Sequence, residues 1–171
     1  MRVKLREIIK EILSHYGELY NAALTKMVFL VDWEAAKRWG CSVSGLKWKR
    51  QNHGPFLWDV LNCAKAYPEL FEIVEAGEKR LVRLKDWTPA NVSPQVRKLI
   101  QEIVAKIPDP RTDFKVFVEY VYQTDPMRLT LSPYERIDLV EVAKALKDVE
   151  ETEIELSTPE WKEALSYLAA H

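Results

Sequence analysis

Glycine is scarce in this chain, with five in 171 residues. Gly17, Gly40, Gly45, Gly54 and Gly77 stand singly. A phosphate-cradling loop needs clustered glycines so that backbone amides can approach the anion. Neither G-x-G-x-x-G nor G-x-x-x-x-G-K-[ST] occurs, which disfavours nucleotide-binding enzymes of those classes. Cysteine is scarcer still. Cys41 and Cys63 lie far apart without C-x-x-C spacing, which suits two reduced thiols in a cytoplasmic protein. There are three histidines, His15, His53 and His171, and no H-E-x-x-H pair. Neither the cysteines nor the histidines have metal-ligand spacing, so no metal and no cofactor are expected. Apolar runs stop short of the ~18 residues that span a membrane. Residues 1–10 mix Arg, Lys and Glu with apolar side chains and lack the apolar stretch of a signal peptide. A chain in the cytoplasm, with no membrane partner, is the expectation.

Hydrophobic residues make up 47% and charged residues 30%, enough for one domain over residues 1–171 with a core and a charged surface. The net charge is only −1, but it is unevenly spread. Residues 1–55 carry ten Lys/Arg against five Asp/Glu, and residues 141–163 carry three Lys against eight Asp/Glu. That split serves either contacts within the fold or a partner with a charged face.

The periodicity predicts mostly helix. Leu5, Ile8, Ile9, Ile12 and Leu13 make one apolar stripe over residues 2–14. A second helix, capped by Asn21 and ended at Gly40, is apolar over more than half its circumference and is expected at the centre. Residues 46–50 alternate as a strand, with Leu46, Trp48 and Arg50 on one face. Asn52-His53-Gly54-Pro55 reads as a turn. Pro55 then opens a helix carrying Phe56, Leu57, Val60, Leu61 and Ala64, with Trp58 off that stripe. Residues 71–84 read as a hairpin turning at 76–79.

Further helices are expected from Ser93-Pro94 to Ile107, over Phe114–Val121, and from Ser132-Pro133 to Lys147. Met127–Leu131 is expected to be extended, and Asp148–Leu156 a loop or edge strand. Ser157 and Glu160 have capping-box spacing before a terminal helix through Trp161, Ala164, Leu165 and Leu168. The fold class is α+β and mostly helical: a compact helical domain with a small antiparallel sheet. The N-terminal half has a winged-helix-like order of helix, helix, strand, helix, hairpin.

Catalytic candidates are few. A general acid–base pair needs a second group positioned beside His53, and sequence offers only Asp32 or Asp59. Neither cysteine carries a nucleophile signature. The chain is therefore expected to bind rather than catalyse. Six tryptophans exceed what a core of this size requires. Trp33, Trp39 and Trp161 are expected in the core. Trp48 alternates with lysines and Trp58 leaves its stripe, and Trp and Arg dominate interface hot spots. Partner contact is therefore assigned to Trp48, Arg50, His53 and Trp58. An alternative is a winged-helix DNA-binding regulator, in which Lys47, Lys49 and Arg50 flank the recognition helix while Lys79 and Arg80 tip the wing.

Leu24-Thr25-Lys26-Met27-Val28-Phe29-Leu30-Val31-Asp32 leads to Gly40, then to Val43-Ser44-Gly45-Leu46-Lys47-Trp48 and His53-Gly54-Pro55. This series resembles the Panacea domain, the SocA-like antitoxin domain once filed under phage-associated proteins. The family's Lys falls on Lys26, its aromatic on Phe29, its Asp on Asp32 and its Gly-Pro on Gly54-Pro55. The resemblance is strongest over residues 20–66, with a weaker echo in Val121–Met127 and Leu139–Ala143. Many members carry a His and a Pro-Trp pair where this chain has Thr124 and Pro126-Met127. The resemblance implies an antitoxin that neutralises a cognate protein toxin by direct contact. Some relatives deliver a toxin to a protease, so a protease or chaperone is a further partner it implies. Weak DNA binding, as in antitoxins that repress their own operons, is another.

Overall fold

The computed structural model describes residues 2–130, 132–156, 163, 166, 169 and 170. In chain order the elements are α1 (Leu5–Tyr16), β1 (Glu18–Tyr20), α2 (Asn21–Trp39), β2 (Arg50–Gln51), β3 (Gly54–Pro55), α3 (Asp59–Ala66), β4 (Phe71–Ala76) and β5 (Lys79–Leu84). They continue with α4 (Pro94–Lys106), α5 (Phe114–Tyr122), α6 (Asp125–Leu129) and α7 (Leu139–Leu156). The α+β, mostly helical class is the one found. The expected capping box and terminal helix from Ser157 onward lie outside the described residues, as do Trp161 and His171.

α2 forms the centre because its sequence leaves no wide polar face. Leu24, Met27, Val28, Phe29, Val31 and Ala35 are fully enclosed, and a helix apolar on nearly every side must be covered on nearly every side. α1, α3, α4, α5 and α7 pack around it. Gly40 ends α2 at φ 66°, a left-handed conformation that side chains with a Cβ adopt at a cost. Side-chain caps start three of the surrounding helices. Ser93 accepts from the Val96 amide, Asp113 from the Val116 amide and Asp138 from the Glu141 amide.

The main sheet is antiparallel in the order β1-β5-β4. Leu19 sits opposite Val82, and Val82 opposite Ile73, so the inner face of the hairpin closes on α2. The elements do not follow the expected order of helix, helix, strand, helix, hairpin. A strand lies between the first two helices, and the stretch around Trp48 joins no strand of the hairpin sheet. Arg50 and Gln51 pair with Pro55 and Gly54, and Lys49 makes an isolated antiparallel bridge with Arg136. Residues 48–50 instead bond to the segment before α7. The Arg50 amide donates to Glu135 O at 2.9 Å, the Tyr134 amide to Arg50 O at 2.7 Å, and the Ile137 amide to Trp48 O at 2.9 Å.

Further expectations change. Pro55 does not open a helix but pairs with Arg50 in β3, and α3 starts at Asp59. Asn21 is the first residue of α2 and not its cap, and its side chain accepts from the Thr25 hydroxyl inside the helix. Residues 125–129 are a short helix rather than extended, since Thr124 O accepts from the Met127 and Arg128 amides. The last long helix starts at Leu139, not at Pro133, because residues 134–137 are pinned to residues 48–50. It continues through Leu156 where a loop or edge strand was expected. Trp39, expected in the core, is 37% exposed at the end of α2.

The loop between α2 and β2 is organised by Asp32. Its carboxylate is fully buried and accepts from the Val43 amide at 3.0 Å, the Ser44 amide at 2.9 Å, the Ser44 hydroxyl and Trp48 Nε1 at 2.9 Å. Trp48 also meets Phe29 edge to face, ring centroids 5.3 Å apart. Replacing Asp32 with Ala strands several buried donors, each costing ~1–3 kcal/mol. Asp32→Ala is therefore expected to lower stability by ~3 kcal/mol or more, with Asp32→Asn intermediate. Urea melts of the three proteins check this. Equal midpoints for wild type and Asp32→Ala would remove Asp32 as the organiser of this loop.

Candidate functional site: an aromatic groove beside a buried lysine

β1, the start of α2, the 56–58 segment, β5 and the start of α5 enclose a groove of about 530 Å³. Tyr20, Trp58 and Phe114 line it and stay 43%, 62% and 44% exposed, so their rings face solvent instead of the core. Each is placed by local chemistry. Tyr20 precedes the first residue of α2. Trp58 precedes the first turn of α3, and its ring meets Phe56 edge to face at 5.0 Å. Phe114 follows the Asp113 cap. The rim carries cations: Lys79 lies 5.5 Å from the Tyr20 ring centroid, and Arg111 is held by Asp109 at 2.8 Å and by the Tyr16 carbonyl.

The four residues assigned to partner contact do not share one surface. Trp58 is on the groove. His53 is exposed at the tip of the β2–β3 turn. The assignment of Trp48 is corrected, because it is 1% exposed with its indole on Asp32. Arg50 turns inward. Its Nη1 donates to Met127 O at 2.9 Å and Thr130 O at 2.6 Å, which ties the α6 region to the turn. Among the DNA candidates, Lys79 and Arg80 line the groove, and Arg80 pairs with Glu75 at 3.4 Å. Lys47 and Lys49 are exposed outside it. Tyr20 and Phe114 were missed at the sequence level. Tyr20 lies between two predicted elements, and Phe114 sits on a stripe whose other members are covered, Phe117 and Val121 fully and Val118 partly.

The family-motif residues divide in two. Phe29, Asp32, Gly54 and Pro55 are parts of the framework. Lys26 is not explained by it. The residue is 3% exposed, and burial alone lowers its ammonium pKa to about 8. Among the described residues no group of three or more His, Cys, Asp or Glu side chains converges as a metal cage would. Burial also pushes the Cys63 thiol up to about 11, away from the thiolate form that reacts.

The Lys26 shift has a definite sign. Its ammonium loses its proton near pH 8 in the fold and near pH 10.5 in the unfolded chain. Between those values the unfolded chain binds more protons, so this group's contribution to stability rises with pH. Below pH 8 the full penalty is present, on the order of 3 kcal/mol by the linkage relation. Cys63 and Tyr16 titrate in the opposite sense above pH 9, so a difference between two proteins isolates Lys26. Lys26→Met is expected to melt above wild type at pH 7, with the gap narrowing by pH 10. A constant gap, or a less stable variant at pH 7, would contradict the burial penalty.

In comparison with known proteins, the model of one family, the antitoxin SocA-like, Panacea domain, matches residues 24–162. No curated protein and no solved structure matches the chain. The matched span runs from α2 through α7 and contains Lys26, Asp32, the Gly54 turn and Trp58, so the chain belongs to the SocA-like antitoxin family, the Panacea domain.

Proposed function

We propose that this chain is an antitoxin that neutralises a cognate protein toxin by stoichiometric contact, with the aromatic groove as the contact face. The observation that carries the reading is the gathering of Tyr20, Trp58 and Phe114, three of the six exposed large aromatics among the described residues, around one concave site. Tryptophan and tyrosine bury large areas at small rotamer cost, and a concavity lets flanking contacts exclude water around them. The family's antitoxin role supports the same reading. The chain would act by binding and without chemistry of its own: Asp32, one candidate partner for His53, already accepts from the 43–48 loop. No helix of the described residues is long and apolar enough to cross a membrane, and we place the encounter in the cytoplasm.

A toxin that binds only the folded antitoxin stabilises it by ~2.7 kcal/mol at 100 times its dissociation constant. The product of the adjacent reading frame is therefore expected to raise the melting temperature, whereas nucleotides and divalent metals leave it unchanged. Trp58→Ala is expected to melt like wild type, because Val60, Leu61 and Ala64 still fill the buried face of α3. It should weaken toxin binding by ~2 kcal/mol or more, roughly 30-fold in Kd. Leu61→Ala should do the reverse and lower stability by ~2–5 kcal/mol through a core cavity. Calorimetric binding and thermal melts of both variants check the pair. Undiminished neutralisation by Trp58→Ala would move the contact face elsewhere.

A further inference from the structure

Four charged side chains are buried among the described residues: Lys10, Glu11, Lys26 and Asp32. Lys10 donates to Asp86 at 3.1 Å and Thr88 at 2.7 Å. Glu11 pairs with Arg97 at 3.2 Å. Asp32 accepts from the 43–48 loop. Lys26 alone has neither a hydrogen bond nor an ion pair among the described residues, and desolvation is the sole cause of its shift. An uncompensated buried charge is costly, and a Met or Leu would fill the space of the stem without it. Every fully enclosed side-chain nitrogen or oxygen of the described residues has a partner. The partnerless Lys26 nitrogen therefore keeps some accessible surface.

The Gly54 turn lies against the lysine stem. A Cβ built on Gly54 would lie 3.6 Å from Lys26 Cε and 3.6 Å from both Cζ and the hydroxyl of Tyr122. The bare Gly54 backbone thus leaves a space that both the lysine stem and the tyrosine hydroxyl border. The hydroxyl makes only a long contact, 3.5 Å to Asn52 O. The Arg50 guanidinium sits 5.6 Å from the Tyr122 ring centroid and adds positive potential. The cluster adjoins the groove: Ala22 and Ala23 line the groove one helical turn before Lys26, and Phe56 lines it two residues after Gly54.

We propose that Lys26 and the Tyr122 hydroxyl, under the Gly54 turn, form a receptor for one carboxylate of the partner protein bound in the adjoining groove. The proposal rests on reading the chain as a toxin-binding protein and adds what that toxin must present. One ammonium and one hydroxyl match an acceptor with two oxygens and a single charge. A nucleic-acid backbone would need several free cations on one face, whereas the nearby Arg50 already serves two carbonyls and the chain carries net charge −1. The carboxylate is an Asp or Glu side chain or the toxin's C-terminus, and the cluster accepts either chemistry.

The test uses the full-length chain with the product of the adjacent reading frame. Lys26→Met should fold, and should bind that protein roughly tenfold or more weakly, since loss of a desolvated charge partner is felt at about that level. Tyr122→Phe should lose several-fold. Amide substitutions of the partner's Asp and Glu residues, and amidation of its C-terminus, identify the source. The one that matters should cost wild type as much as Lys26→Met does, and should cost Lys26→Met nothing further. If wild type binds, Trp58→Ala does not, and Lys26→Met binds unchanged, the carboxylate receptor is overturned while the groove stands. Additive losses for every carboxylate tested overturn it likewise. If wild type fails to bind at all, the toxin-binding reading falls and this one with it.

Discussion

A single carboxylate in the middle of the central helix organises the middle of this chain. Asp32 has no solvent, so its charge must be met by donors from the chain itself. The Val43 and Ser44 amides, the Ser44 hydroxyl and the Trp48 indole supply them. The segment after α2 has no regular structure of its own before β2, and these bonds take the place of a ladder. Removing one partner from a buried charged cluster leaves the rest exposed to the full desolvation penalty, so the loop and the helix hold or fail together.

The residues after Trp48 are placed by that anchor. With the indole fixed, residues 48–50 lie against residues 134–137 and Arg50 reaches the carbonyls of the α6 region. A local bond at residue 32 thereby joins segments about a hundred residues apart. The same anchor sets the β2–β3 turn, and the turn in turn sets Phe56 and Trp58. One exposed ring of the groove, Trp58, thus stands on a buried polar framework. This separation suits a binding protein, because surface rings can then change without loss of the fold.

Lys26 and Asp32 belong to the same helix and both are buried charges, yet they have opposite roles. Asp32 is fully met by the chain and contributes order. Lys26 is met by no partner among the described residues and opposes stability below pH 8. Charges of the second kind concentrate at working sites, where an unsatisfied group is held ready for a partner group. The sign of each residue's effect on folding is therefore informative about its use.

Much of the fold was legible in the sequence. The apolar stripe of α1, the all-round apolarity of α2, the Ser93-Pro94 helix start and the 71–84 hairpin come from side-chain period and capping chemistry, which act within a few residues. The family motif was legible too, since it is a matter of residue identity. Several errors fell where distant segments decide. Alternation marked residues 46–50 as a strand, but Trp48 was drawn inside by a carboxylate sixteen positions earlier. Pro133 marked a helix start, but the pairing of residues 134–137 with 48–50 delayed it. Trp58 left its stripe and is exposed, whereas Trp48 alternated with lysines and is not. Period and propensity determined which segments are helices and which faces are apolar, because those are short-range properties. Only the tertiary structure decided which aromatics and charges are covered, because burial depends on what the rest of the chain brings to each side chain.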